Sequence, residues 1–252
     1  MLTATHIVIM YRFPIMKSLS IFSFTLFIFL LSSPGSSQSP DEASVTELNN
    51  SFHEAYGPDQ NLVRGVRYFN LHLRYEGHKF FMEDTYVKGK LILEHGTYPD
   101  VFLKYDLFDQ RLILQVISPG ATYNEIVVTD SHLKGFELEG RTFRKLYFPE
   151  TDTLIFQVIG QGDPVCIYYW DKDVFHNTHD LTSIGEFSKM IRKSYVVTNS
   201  SLYRFKGARS FSKSFPEHRA EVMRYIRRQK IRPRKSGDAE MTGLINYCST
   251  LL

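Results

Sequence analysis

From Leu133 to Ile159 the chain reads Leu-Lys-Gly-Phe-Glu-Leu-Glu-Gly-Arg-Thr-Phe-Arg-Lys-Leu-Tyr-Phe-Pro-Glu-Thr-Asp-Thr-Leu-Ile-Phe-Gln-Val-Ile. Apolar residues come in short bursts at 133–138, 142–148 and 153–159, and Glu139-Gly140 is a turn pair between the first two. Bursts of this length, cut by turn residues every eight to twelve positions, have the rhythm of an antiparallel sheet.

The same rhythm extends outward in both directions. Upstream lie 66–73, 88–93, the His95-Gly96 turn, 101–105, 111–117, the Pro119-Gly120 turn and 125–129. Downstream the loop Gly160-Gln161-Gly162-Asp163 leads into 165–170, and 195–198 with 202–205 predict a last hairpin. About ten strands are expected, and no strand alternates with a helix long enough for a parallel βαβ unit. The expected fold is mainly β: an antiparallel meander forming a curved sheet or a partly open barrel, with a C-terminal helical pair.

The helices are read from caps and stripes. Ser214-Phe215-Pro216-Glu217 has the Ser-x-x-Glu form of a capping box and predicts a helix to about Lys230. Met241, Leu244, Ile245 and Cys248 fall at i, i+3, i+4 and i+7 and predict a second helix over 238–248 whose stripe needs a surface to cover. Val45, Leu48 and Phe52 hint at a short helix before the sheet.

Leu19 to Leu31 is a thirteen-residue apolar run preceded by Arg12 and Lys17 and followed by small polar residues, the profile of a signal peptide. As a helix it reaches only about 20 Å, short of a bilayer core of roughly 30 Å. Cleavage near Ser37 to Ser39 would leave no transmembrane span. Met16-Lys17 is a second possible start, which would make residues 1–15 a gene-model extension. The expected organisation is a signal peptide over 1–38, an N-terminal segment over 39–64, the β domain over 65–206 and a basic helical segment packed on the sheet over 207–252. The expected location is exported: periplasmic, outer-membrane-associated or secreted.

A hydrophobic fraction of 43% rules out disorder as the main state, and two cysteines exclude a disulfide-dense scaffold. Export would permit Cys166 and Cys248 to oxidise, with two buried thiols as the plainer alternative.

Charge is unevenly placed. Between Tyr203 and Lys235 twelve basic residues stand against Glu217 and Glu221, a balance of +10, whereas 39–202 carries 16 basic and 23 acidic residues. The basic helix either docks on the acidic sheet or faces outward toward an anionic partner. The outward reading uses Arg224, Arg227, Arg228, Lys230, Arg232, Arg234 and Lys235 as contacts to an anionic envelope surface or another envelope protein. Nucleic acid is the least favoured partner, because no recognition motif accompanies the charge.

Chemistry is sparse. Asp173, His176, His179 and Asp180 place two imidazoles among carboxylates at a spacing that can bind zinc, although a polar loop after a strand looks the same. Nucleophile elbow, phosphate loop and zinc-protease motifs are absent. The pairs Glu83/Asp84, Asp106/Asp109 and Asp171/Asp173 could do acid–base work on a glycoside. Aromatic residues such as Tyr68, Phe69, Phe80, Tyr105, Tyr147, Tyr168 and Trp170 could line a groove, but core packing is their usual role. No catalytic residue and no cofactor is assigned.

Gly-Val-Arg-Tyr-Phe at 65–69, Phe-Leu-Lys-Tyr-Asp at 102–106, Phe-Glu-Leu at 136–138, Phe-Gln-Val-Ile-Gly at 156–160 and Phe-Pro-Glu-His at 215–218 together resemble an uncharacterised family of exported proteins from Gram-negative bacteria. The resemblance covers nearly all of the mature chain. It implies export and a β-rich fold with a C-terminal helical pair, and no site residues. The leading expectation is an exported binding or structural protein without enzymatic activity. The alternatives are a carrier holding a lipid or other apolar ligand in a half-open barrel, and an exported hydrolase using dispersed carboxylates.

Overall fold

The computed structural model describes residues 62, 65–118, 122–176 and 183–252. The expected leader, the hinted helix at Val45 to Phe52 and the Pro119-Gly120 turn lie outside the described residues. In chain order the elements are β1 (Gly65–Arg67), β2 (Tyr75–Glu76), β3 (Val87–Leu93), β4 (Gly96–Asp106), β5 (Arg111–Ser118), β6 (Thr122–Val128), a 3-10 turn (Asp130–His132), β7 (Leu133–Leu138), β8 (Arg141–Phe148), β9 (Asp152–Ile159), β10 (Val165–Asp171), β11 (Val174–His176), β12 (Gly185–Phe187), β13 (Ile191–Thr198), β14 (Ser201–Phe205), α1 (Ala208–Ser212), α2 (Arg219–Arg228) and α3 (Asp238–Ser249).

Eleven strands form one antiparallel sheet in the order β1-β6-β5-β4-β3-β7-β8-β9-β10-β13-β14. The order is linear with an edge at each end, so the sheet is open. It is the curved meander that the burst pattern predicts, with a small second sheet, β11-β12-β2, that the pattern does not reveal.

The curvature follows from the connection between β6 and β7. Antiparallel pairing at every step makes these two strands parallel, and they sit four positions apart in the sheet. In a flat sheet such strands need a crossover of a dozen residues or more. Here four residues join Val128 to Leu133, a reach of at most about 18 Å. The sheet must coil, and right-handed twist of about 20–25° at each of four steps turns β7 nearly perpendicular to β6. Ring contacts agree. Tyr105 on β4 and Phe143 on β8 are three strands apart, about 14 Å if flat, yet their ring centroids are 5.6 Å apart.

Local sequence makes the coil possible. β3 carries register shifts between Gly89 and Leu91 and between Ile92 and Leu93, irregularities that bend a strand and increase its twist. Glu139 and Gly140 both take positive φ, 49° and 71°, the two-residue hairpin loop whose own twist suits its strands. The expected strand over 66–73 is shorter: only β1 pairs, and Phe69, Leu71 and Leu73 are exposed.

Two apolar clusters follow. The first lines the coil, with Leu91, Leu103, Tyr105, Leu114, Phe136 and Phe143 fully buried. In the second, Phe205, Phe211, Phe215, Val222, Ile226 and the α3 stripe Met241, Leu244, Ile245 and Cys248 pack with Cys166, Tyr168 and Val196 of the sheet. Trp170 touches both clusters. Its indole Nε1 donates to Gln157 Oε1 at 2.7 Å, and Gln157 Nε2 donates to Asp238 Oδ2 at 2.9 Å, which ties the first turn of α3 to the sheet.

Candidate anion-binding surface

The basic segment is built on apolar anchors. Val222 and Ile226, one turn apart, sink one stripe of α2 into the second cluster, and Tyr225 stacks on Tyr247 of α3 at 3.9 Å. Arg224, Arg227 and Arg228 share the opposite face of α2 by helical spacing and are exposed. The helix starts at Arg219 and not in the expected capping box. Ser214 is buried with no partner for its hydroxyl among the described residues, and Phe215 packs 5.6 Å from Phe211 of α1. Burial of Phe215 accompanies a non-helical path over 214–217, so tertiary packing overrides the cap signal. The short helix α1, carried by Phe211, is a third C-terminal helix beyond the expected pair.

The C-terminus of α2 closes by a Schellman arrangement. Ile231 N–H donates to Ile226 O at 3.0 Å and Lys230 N–H to Arg227 O at 3.2 Å. Lys230 takes the left-handed position with φ 55°, where glycine is the usual residue. Beyond it the loop is braced from the sheet. Arg192 on β13 donates through Nη1 to Ser236 O at 3.1 Å and through Nη2 to Arg234 O at 2.6 Å, while its guanidinium lies 4.5 Å from the Tyr168 ring. Arg232 N–H donates to Ser236 Oγ at 3.1 Å. The loop that displays Arg232, Arg234 and Lys235 is therefore held rigidly. Arg192 is a positioning residue with no signature in the sequence, because its partners are carbonyls some forty residues away.

All twelve basic residues between Tyr203 and Lys235 are exposed. None of their side chains forms an ion pair among the described residues, so the basic segment faces outward without direct pairing to the acidic sheet. Arg224, Arg227 and Arg228 at i, i+3 and i+4 repel one another by about 0.2–0.5 kcal/mol per pair, an unrelieved cost in the free protein.

The other sequence-derived sites are placed differently. Asp173 precedes β11 and His176 ends it; His179 and Asp180 lie outside the described residues. Three positions along an extended chain point side chains to opposite faces, and no group of three metal-ligand side chains among the described residues includes Asp173 or His176. In each carboxylate pair at least one member is held by lysine. Asp106 and Asp109 each lie 2.7 Å from Lys79 Nζ, Asp84 lies 2.8 Å from Lys104 Nζ, and Asp171 lies 2.8 Å from Lys193 Nζ.

Asp106 is fully buried, and burial holds its carboxyl above the usual carboxylate range despite the Asp109 N–H and the Lys79 ammonium. Burial also pushes Asp109 upward, but the Lys79 and Arg111 cations outweigh it and leave that carboxyl below the usual range. Lys79 loses basicity to burial and regains more from its bonds to the two aspartates, ending above the ordinary lysine value. This is a lock between the 77–83 segment and the end of β4, with its acid–base capacity already engaged.

Cys166 and Cys248 are free and buried, and burial pushes each thiol up to about 12. The aromatic residues offered as groove lining divide: Phe80, Tyr105 and Tyr168 are buried in the packing, while Phe69 and Tyr147 are exposed. A half-open cleft of about 350 Å³ lies where β5 begins and β6 ends, lined by Asp109, Arg111, Leu112, Val128, Asp130 and Leu133 among others. No family model, curated protein or solved structure matches this chain. The likeness drawn from the aromatic strand motifs rests on those motifs alone.

Proposed function

We propose that this is an exported cell-envelope or secreted protein with a non-enzymatic binding role, held on an anionic bilayer surface by its basic C-terminal segment. The observation that carries the reading is the set of twelve exposed cations that form no ion pair among the described residues. Lys230 supports it, since a charged residue occupies a backbone position that glycine would fill with less strain. The leader-like run Leu19 to Leu31 supports export.

The mode of contact follows from packing. The apolar stripe of α2 is already buried, so the helix has no greasy face to insert, and attraction is electrostatic at about 1 kcal/mol per Lys or Arg near an anionic surface. Such attraction is screened within about 10 Å at 0.1 M salt. Among the described residues no helix is long and apolar enough to cross a membrane. The filled concave side of the sheet weighs against the carrier alternative, and the lysine-bound carboxylates weigh against the hydrolase.

The test is co-sedimentation of the purified protein with vesicles of phosphatidylcholine alone or with added phosphatidylglycerol. The expected result is binding only to the phosphatidylglycerol vesicles, lost on raising salt from 50 to 500 mM and lost in the triple variant Arg224→Glu, Arg227→Glu, Arg228→Glu. Equal binding to both vesicles, insensitivity to salt, or preferential capture of nucleic acid under the same conditions would overturn it.

A further inference from the structure

We propose that Glu94, His95 and His132 form a binding site for a divalent transition-metal ion, with Zn²⁺ the best match. Glu94 and His95 are the two residues between β3 and β4, and His132 closes the 3-10 turn immediately before β7. Strand register brings them together. Leu93 pairs with Leu133 across β3 and β7, and Glu94 N–H donates to His132 O at 2.9 Å, so the ladder continues one step beyond the strands and sets Glu94 against His132.

One donor atom from each residue lies within 4.8 Å of the other two. Some point then lies within about 3 Å of all three atoms, and side-chain rotation closes the remainder to the roughly 2.0–2.2 Å of zinc–nitrogen and zinc–carboxylate bonds. His132 Nδ1 already stands 3.4 Å from Glu94 Oε2, and the two imidazole rings are 5.4 Å apart.

The donor set decides the class of ion. Two imidazoles and one carboxylate suit zinc, copper or nickel and are poor for calcium or magnesium, which prefer oxygen alone. Glu94 and His95 are exposed and His132 is half-buried, so the site is open to solvent and three protein ligands leave a coordination position for water. The backbone beneath is held in place. Lys145 of β8 donates to Asp130 O at 2.7 Å and to Asp130 Oδ2 at 2.5 Å, which anchors the turn that carries His132. A bound ion would cross-link the β3–β4 turn to the short link that lets β6 pass into β7, the place where the coil of the sheet is decided.

The test uses untagged, metal-free protein titrated with Zn²⁺ by calorimetry and with Co²⁺ by visible absorption. The expected result is one saturable site per chain, a Co²⁺ spectrum of low coordination number, and a melting temperature raised by Zn²⁺. His95→Ala with His132→Ala should abolish the spectrum and weaken Zn²⁺ by more than the roughly 10–100-fold that losing an outer hydrogen-bond partner costs, while Glu94→Gln weakens it less. Retained Zn²⁺ affinity in the double variant, absence of saturable binding in the parent, or loss of the site in His176→Ala with His179→Ala instead would overturn the proposal. Circular dichroism of each variant separates loss of ligand from loss of fold.

Discussion

Lys230 shows how one residue can serve two opposed demands. At φ 55° its Cβ crowds the backbone in a way that glycine avoids, and the left-handed conformation costs an L-residue roughly 1–2 kcal/mol. Glycine would return part of that gain through its freer unfolded chain, by about 0.4–1 kcal/mol. Lys230→Gly is therefore expected to raise stability by about 0.5–1 kcal/mol in urea titration, and to weaken binding to phosphatidylglycerol vesicles. A loss of stability would mean that the lysine stem makes contacts which outweigh its strain.

At the scale of elements, β3 is the strand on which the coil turns. A Cβ built on Gly89 would stand 2.3 Å from the carbonyl oxygen of Glu137 on β7, so the two backbones approach more closely than any side chain allows. Gly140, in the neighbouring turn, has positive φ of 71° but nothing within 4 Å of its would-be Cβ. The two glycines are needed for different reasons, and alanine separates them. Gly140→Ala is expected to cost about 1 kcal/mol, the conformational penalty alone. Gly89→Ala is expected to cost at least about 2 kcal/mol, because a strand must move in a packed sheet. Equal losses in urea denaturation would show that β3 and β7 can part without disturbing the coil.

For the whole molecule, the buried groups set an alkaline limit. Burial raises Cys166 and Cys248 from 9.0 to about 12 and Tyr169 from 10.0 to about 12. The unfolded chain therefore gives up these protons at lower pH than the folded protein does, and the folded state binds more protons across the window. Stability must fall as pH rises through it. Lys79 adds to the same trend, since its raised value makes its contribution full below about pH 10.5 and lost as pH climbs through the folded value. Each thiol contributes a decline of about 1.4 kcal/mol per pH unit once above pH 9. The urea midpoint under reducing conditions is expected to be level from pH 7 to 9 and to drop steeply beyond. In the Cys166→Ala, Cys248→Ala variant the drop should begin nearer pH 10, and an unchanged onset would show that the thiols titrate freely in the folded state.

The features the sequence determined by itself are local ones. Bursts and turn residues mark the large-sheet strands between 88 and 205 but not β11 and β12 of the small sheet, and Glu139-Gly140 is legible because a two-residue loop is set by its own φ angles. Met241, Leu244, Ile245 and Cys248 defined α3 because helical spacing alone puts them on one side. The +10 charge between Tyr203 and Lys235 could be counted without any fold.

Tertiary structure alone decided whatever depends on distant partners. The buried stripe Val222 and Ile226 turns the cations of α2 outward, and burial of Phe215 displaces the helix start from Ser214. Lys79 takes up Asp106 and Asp109 from about thirty positions away. Pairing of β3 with β7 brings Glu94 and His95 to His132, a juxtaposition that no spacing rule contains. Period and turn chemistry act between neighbours along the chain. Ion pairing, desolvation and ligand geometry act between residues that become neighbours only after the sheet has coiled.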